Sequence, residues 1–198
     1  MNIEEIVQRI ENAKTSPFFV FISGGSCVGK TYLTRKLLAR FGDEATVLEM
    51  DCYFKDRDDT TLPMFGSRTS FDLPESFYLK ELRNDLKRLI EVGRINVPIY
   101  DISRNFQLGK RIMHRNKIII VEGLYASIVS DAIESPNQKV NILITASTQT
   151  RLQRRIDRDT SRFDWSEKAI ETYFFDQIEP IYKMYFSKQS AEVMIENN

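Results

Sequence analysis

The run GGSCVGKT at residues 24–31 constrains this chain more than any other stretch. Gly24, Gly29, Lys30 and Thr31 fill the pattern G-x-x-x-x-G-K-[ST]. The flanks agree with it. FFVFIS (18–23) is a continuous apolar run of strand length, the kind found in strands buried on both faces of a parallel sheet. After the loop, Leu33, Leu37 and Leu38 recur at helical spacing towards Gly42. A strand, a glycine turn and a helix in that order make an anion cradle. The turn, Gly24, Gly25, Ser26, Cys27, Val28 and Gly29, can curl so that successive N–H groups point at phosphate oxygens. The helix start adds its partial positive charge. Lys30 is expected to reach the β- and γ-phosphates, and the Thr31 hydroxyl to ligate Mg²⁺. The chain is expected to bind a nucleoside triphosphate, ATP or GTP.

Charge excludes several other classes. Lys plus Arg number 28 and Asp plus Glu number 28, so no global positive field draws the chain to nucleic acid or to an anionic membrane. The longest apolar runs, 18–22 and 118–121, fall far short of a membrane span. Cys27 and Cys52 show neither metal spacing nor a disulfide framework, which fits a reducing compartment. The start, MNIEEIVQRIENAK, carries acids early and does not read as a signal peptide, so a cytoplasmic location is expected. At 198 residues, one domain is expected.

Apolar periodicity predicts helices over 3–14 and over 79–90 with Gly93 as the stop, while 151–159 reads as a charged helical stretch and 167–185 as a long helix. Strands are expected at 46–50, 117–123, 140–146 and 191–197, with a short paired unit at 95–101 and 110–116. Residues 51–75 show no periodicity and read as a long functional loop. Strands and helices alternate, so a parallel sheet with helices on both faces is expected. Glu122 would end a buried strand beside the phosphate loop, where an acid can hold Mg²⁺. His114 reads as a surface residue, and neither cysteine reads as a nucleophile.

GGSCVGKT, MDCYFKD, FDLPESF, VPIYDISR, IIVEGLYA and RLQRRIDRD occur in the order and rough spacing of the uridine kinase and phosphoribulokinase group of P-loop kinases. EPIYKMYFSKQSAEVMIEN resembles that group's C-terminal helix and last strand. The resemblance covers nearly the whole chain and is closest to uridine-cytidine kinase. It implies a P-loop NTPase fold: a three-layer α/β/α sandwich with a mainly parallel sheet, a lid helix (about 151–166) and an acceptor-binding insertion (about 52–116) that holds a small β-hairpin. It implies transfer of the γ-phosphoryl of ATP to a hydroxyl of a small metabolite, the best guess being the 5′-hydroxyl of uridine or cytidine. Asp51 matches the base that takes the hydroxyl proton and, with Thr31 and Glu122, completes the expected metal set. Asp72 in FDLP matches the acid that holds the ribose diol, with Leu73 in place of a histidine. Tyr53, Tyr100, Ile102 and Asn105 match the acceptor wall, where Ile102 replaces a stacking Phe and Asn105 stands about where a base-reading His would be. Arg155 and Arg158 match the phosphate-clamping arginines. The lid turn reads TSRFDWS in place of one carrying R-G-R and keeps Arg162.

Two rival readings stand beside this one. The chemistry can be the same with another acceptor: a ribose phosphate, a different riboside or a vitamin-like alcohol. A nucleotide-dependent switch ATPase is the other. A GTPase switch would carry [NT]-K-x-D, whereas Asn116–Lys117 runs into Ile118–Ile119 with no Asp. Uridine kinases are often tetramers, so a homo-oligomer is compatible with the resemblance, although no interface is legible.

Overall fold

The computed structural model describes residues 3–187 and 191–198. In chain order the elements are α1 (Ile3–Glu11), β1 (Phe18–Ser23), α2 (Lys30–Phe41), β2 (Ala45–Glu49), β3 (Met64–Phe65), β4 (Arg68–Thr69), α3 (Leu79–Val92) and β5 (Arg94–Asp101). There follow β6 (Phe106–His114), β7 (Ile118–Glu122), β8 (Lys139–Thr145), α4 (Thr148–Phe163), α5 (Glu167–Tyr173), α6 (Glu179–Tyr185) and β9 (Val193–Glu196).

Every residue of β1 is buried, and the strand takes the middle of a five-stranded sheet ordered β2-β7-β1-β8-β9. All neighbours run parallel, with Phe21 opposite Val121 and Ile22 opposite Ile142. A strand with two parallel neighbours and helices on both faces meets water nowhere, which is why its sequence lacks alternation. Leu33 and Leu37 of α2, Leu82, Leu86 and Leu89 of α3, and Ile6, Val7 and Ile10 of α1 fill the layers beside the sheet. Each such side chain contributes roughly 1.5–3 kcal/mol by burial. All five strands point their carboxyl ends at one edge, and the loops leaving Ser23, Glu49, Glu122 and Thr145 meet there. No helix among the described residues is long and apolar enough to cross a membrane.

Several elements depart from the sequence expectation. The span 51–75 is structured: a 3₁₀ turn at Met50–Tyr53, the β3–β4 hairpin and a second 3₁₀ turn at Pro74–Ser76. Polar bonds with no periodicity hold it: Ser76 Oγ donates to the Ser70 carbonyl at 2.7 Å, and Lys55 N donates to the Ser76 carbonyl at 2.9 Å. The β5–β6 pair is an antiparallel hairpin that begins its second strand at Phe106, with a register shift at Ile99–Tyr100. α4 is longer than the charged stretch 151–159, because the Ser147 hydroxyl accepts from Thr150 N and caps a start at Thr148. The stretch 167–185 is helical throughout but includes a π segment at Phe174–Ile178 between α5 and α6. α1 ends at Glu11. His114 is exposed at the end of β6. Residues 188–190 of the C-terminal match, and residues 1–2 of the N-terminal stretch, lie outside the described residues.

Candidate active site

The loop between β1 and α2 has the tight curl that its glycines permit. Gly24 has φ 149°, and a Cβ there would lie 2.3 Å from the Ile144 carbonyl oxygen of β8. Gly29 caps α2 with φ 104°. These are backbone states that side chains rarely adopt. Cys27 shares the left-handed region at φ 62°. Lys30 Nζ donates to the carbonyls of Gly24 and Gly25, both at 3.0 Å, so the ammonium lies within the curl. Burial lowers its pKa, while the charges of Asp51 and Glu122 act in the opposite direction. From outside, Asn197 Nδ2 donates to the Val28 carbonyl at 2.8 Å, and Arg154 Nη1 donates to the Asn197 carbonyl at 3.0 Å.

Three acids face the loop. Glu122, at the end of β7, accepts from Thr31 Oγ1 at 2.6 Å. Asp51 stands in the 3₁₀ turn after β2. Burial pushes its carboxyl up to about 6, helped by Glu122, Glu49 and Asp72 and opposed by Lys30. Asp72 is also raised by burial, and Arg155, Arg158 and Lys30 work against that rise. Among the described residues no cluster of three His, Cys, Asp or Glu side chains could hold a metal ion alone. The Thr31 hydroxyl beside the Glu122 carboxylate is instead a set of hard oxygen donors. That set suits Mg²⁺, which takes one or two protein ligands and completes its shell with phosphate and water. The residues present fit the ion.

The arginines of α4 divide into two groups. Arg155 Nη1 donates to Ser26 Oγ at 3.0 Å, and its Nε lies 3.0 Å from Asp159. Arg158 Nε donates to the other Asp159 oxygen at 2.6 Å. Arg162 lines the same cleft. Arg151, which the helical spacing places on the face of Arg155 and Arg158, is instead completely buried. It pairs with Glu179 of α6, lies 3.5 Å from the Tyr182 ring centroid and donates to the Ala146 carbonyl. Arg151 therefore belongs to the core and does not reach the cleft.

The loop, acids and arginines surround a cavity of about 900 Å³. Ser26, Cys27, Gly29, Lys30, Thr31, Asp51, Asp72, Ile102, Asn105, Glu122, Arg155, Arg158 and Arg162 all line it. Gly24, Gly25 and Val28 shape the turn without lining the space. Two expected acceptor residues stand elsewhere. Tyr53 is fully buried, and its hydroxyl donates to Asp85 at 2.8 Å. Tyr100 spends its hydroxyl on the Lys55 carbonyl at 3.1 Å and packs against Phe54. The 3₁₀ turn directs Phe54, the neighbour of Tyr53, into the cavity. Phe71, Ser103, Arg154 and Trp165 also line it and were not singled out from sequence, and Tyr173, whose run with Phe174 and Phe175 reads from sequence as core or interface, lines it as well. For Phe71 the available signal was its place directly before Asp72 in FDLP.

A phosphate loop, a hydroxyl–carboxylate pair and a buried acid within reach of the loop lysine together agree with the comparison to known proteins. The model of the Phosphoribulokinase / Uridine kinase family matches residues 19–197. The chain belongs to that family. Members of the phosphoribulokinase/uridine kinase family are ATP-dependent kinases, and this chain is a phosphotransferase with an alcohol group on a small metabolite as acceptor. It is 27% identical over 186 residues to a uridine kinase of Streptococcus agalactiae serotype V, covering 92% of this chain and 88% of that one. Among solved structures, a possible uridine kinase of Bacillus stearothermophilus superposes with TM-score 0.58 at 18% identity over 98% of this chain and 96% of the other. Phosphoribulokinase of Rhodobacter spheroides superposes with TM-score 0.56 at 15% identity over 85% and 67%. Both structures share the fold of this chain.

Proposed function

We propose that this chain phosphorylates the 5′-hydroxyl of uridine or cytidine, with ATP as donor. The observation that carries the reading is Asp51: a carboxyl raised to about 6 inside the cavity, within electrostatic reach of Lys30 and Asp72. A base whose pKa lies just below neutral is ionised at working pH yet still basic enough to take a proton. In the proposed reaction an Asp51 oxygen accepts the proton of the acceptor hydroxyl. The hydroxyl oxygen then bonds to the γ-phosphorus as the bond to the β–γ bridging oxygen breaks, and the electron pair leaves with ADP. Lys30, Arg155 and Arg158 offset charge on the transferred group, and Arg162 adds to that clamp. Mg²⁺, held by Thr31 and Glu122, would neutralise phosphate charge when bound. Asp72 holds the ribose diol, each hydroxyl donating to one carboxylate oxygen. Residues 151–166 act as the lid and 52–116 as the acceptor-binding insertion of one kinase domain. The uridine kinases among its relatives support this choice of acceptor.

A second reading keeps the chemistry and changes the acceptor to another riboside, a ribose phosphate or a vitamin-like alcohol. Ile102 and Asn105, both lining the cavity, motivate it by departing from the stacking Phe and the base-reading His that the resemblance implies. A panel of nucleosides, sugars and sugar phosphates with coupled ADP detection separates the two. Turnover of uridine or cytidine is expected. Turnover confined to an acceptor without a pyrimidine would select the second reading.

A further inference from the structure

The turn between α4 and α5 holds the chain's only tryptophan. Asp164 ends α4 in the left-handed region at φ 54°, which folds the backbone sharply back. Ser166 then starts α5, its hydroxyl accepting from Ala169 N. Trp165 is thus held between two helix ends, a far more defined place than a free loop. Its side chain is nevertheless 43% exposed, and it lines the cavity. A large aromatic surface left open on a fixed mount forgoes burial that the core would have rewarded.

The neighbours of Trp165 indicate which end of the cavity it serves. Its ring packs edge-on against Tyr173, centroids 5.9 Å apart, and at a tilt against Phe163, 6.1 Å away. Tyr173 and Asp72 line the same cavity, where burial and then the Asp72 charge push the Tyr173 hydroxyl up to about 12. The Arg155 guanidinium lies 5.4 Å from the Tyr173 ring centroid. Asp72 is the acid assigned above to the acceptor. The cavity is also lined by Phe71, Phe54 and Ile102, with Phe54 edge-on to Phe71 at 6.0 Å. Aromatic faces on fixed supports bind flat rings by stacking, with little dependence on the ring's hydrogen-bonding edge.

We propose that Trp165, backed by Tyr173, is the platform on which a flat heteroaromatic ring of the phosphoryl acceptor stacks. The acceptor class is then a nucleoside, and a bare sugar or sugar phosphate lacks the group this wall recognises. The inference rests on the kinase reading above and specifies its acceptor. It also gives the FDW lid turn a role: it binds by stacking where the R-G-R turn of the resemblance would bind by charge.

One tryptophan makes the test direct. Intrinsic fluorescence is followed while uridine, ribose or ribose 5-phosphate is added to the whole chain with Mg²⁺ and a non-hydrolysable ATP analogue. Uridine is expected to change the emission, and ribose and ribose 5-phosphate are not. Trp165→Ala is expected to raise the KM for uridine about tenfold or more with kcat largely kept, and Trp165→Phe to restore much of the loss. Emission that responds to the ATP analogue alone would overturn the proposal, as would an equal response to ribose. Phosphorylation of uridine with unchanged emission and an unchanged KM in Trp165→Ala would also overturn it while leaving the kinase reading intact. A clear response to uridine without phosphorylation would support the platform and refute uridine as the acceptor.

Discussion

Replacing Asp51 by Asn should disable the enzyme and stabilise the protein at once. Asparagine has the shape of the protonated acid but cannot ionise. The carboxyl titrates near 6 in the folded chain against the usual 3.8, because burial opposes its charge. A gap of about 2 units at 1.36 kcal/mol each corresponds to roughly 3 kcal/mol spent on keeping Asp51 ionised in the fold. The sign follows from the direction of the shift. The folded carboxyl binds its proton more tightly than the unfolded one, so its contribution is fully present below pH 3.8 and is lost as pH rises to about 6. Asp51→Asn should therefore match the parent near pH 4 and exceed it by up to about 3 kcal/mol at pH 7 and above. Urea unfolding of both proteins at pH 4, 5, 6 and 7.5 measures that widening gap. The parent's turnover of uridine should fall as pH drops through about 6, while the variant loses about 10²–10⁴-fold at pH 7.5. A variant less stable at every pH, or a parent rate flat between pH 5 and 7, would refute the environment assigned to Asp51.

Three further outcomes follow from the same geometry. Arg151→Ala should cost about 3–5 kcal/mol in denaturant unfolding, because it leaves Glu179 charged and buried; Arg158→Ala should instead lower kcat with a far smaller loss of stability. Tyr53→Phe should destabilise by about 1–3 kcal/mol, since Asp85 loses its donor, and leave the KM for the acceptor unchanged; a raised KM would return Tyr53 to the acceptor wall. Chelating Mg²⁺ should abolish turnover, and Glu122→Gln should raise the concentration of Mg²⁺ needed for half-maximal rate.

The sheet and the phosphate loop were legible because their signals are local. Five apolar residues in a row, two glycines at set spacing and a lysine at a helix start each state their role within a few positions. The arginine helix was legible only in part. Arg151 and Arg155 are one turn apart, and helical spacing cannot separate them; a carboxylate 28 residues away draws Arg151 inward. Tyr53 and Phe54 show the same limit on a shorter scale. The matched segment identified the right turn, but its 3₁₀ geometry decides which ring enters the cavity. Trp165 and Tyr173 carried no periodic signal that would mark them as lining, because their meeting depends on the reversal at Asp164.

The π segment between Tyr173 and Glu179 has a consequence for how the two ends of that helix evolve. A turn that takes one residue more than usual shifts the angular phase of everything after it by about 100°. Tyr173 can thus line the cavity while Glu179 points at the Arg151 guanidinium in the interior. Removing one residue from 174–178 would leave five ordinary α-helical steps, about 140° of turn and close to what the π segment already gives. A shortened helix could keep both seats, whereas six α-helical steps at full length would swing Glu179 away by about 100°.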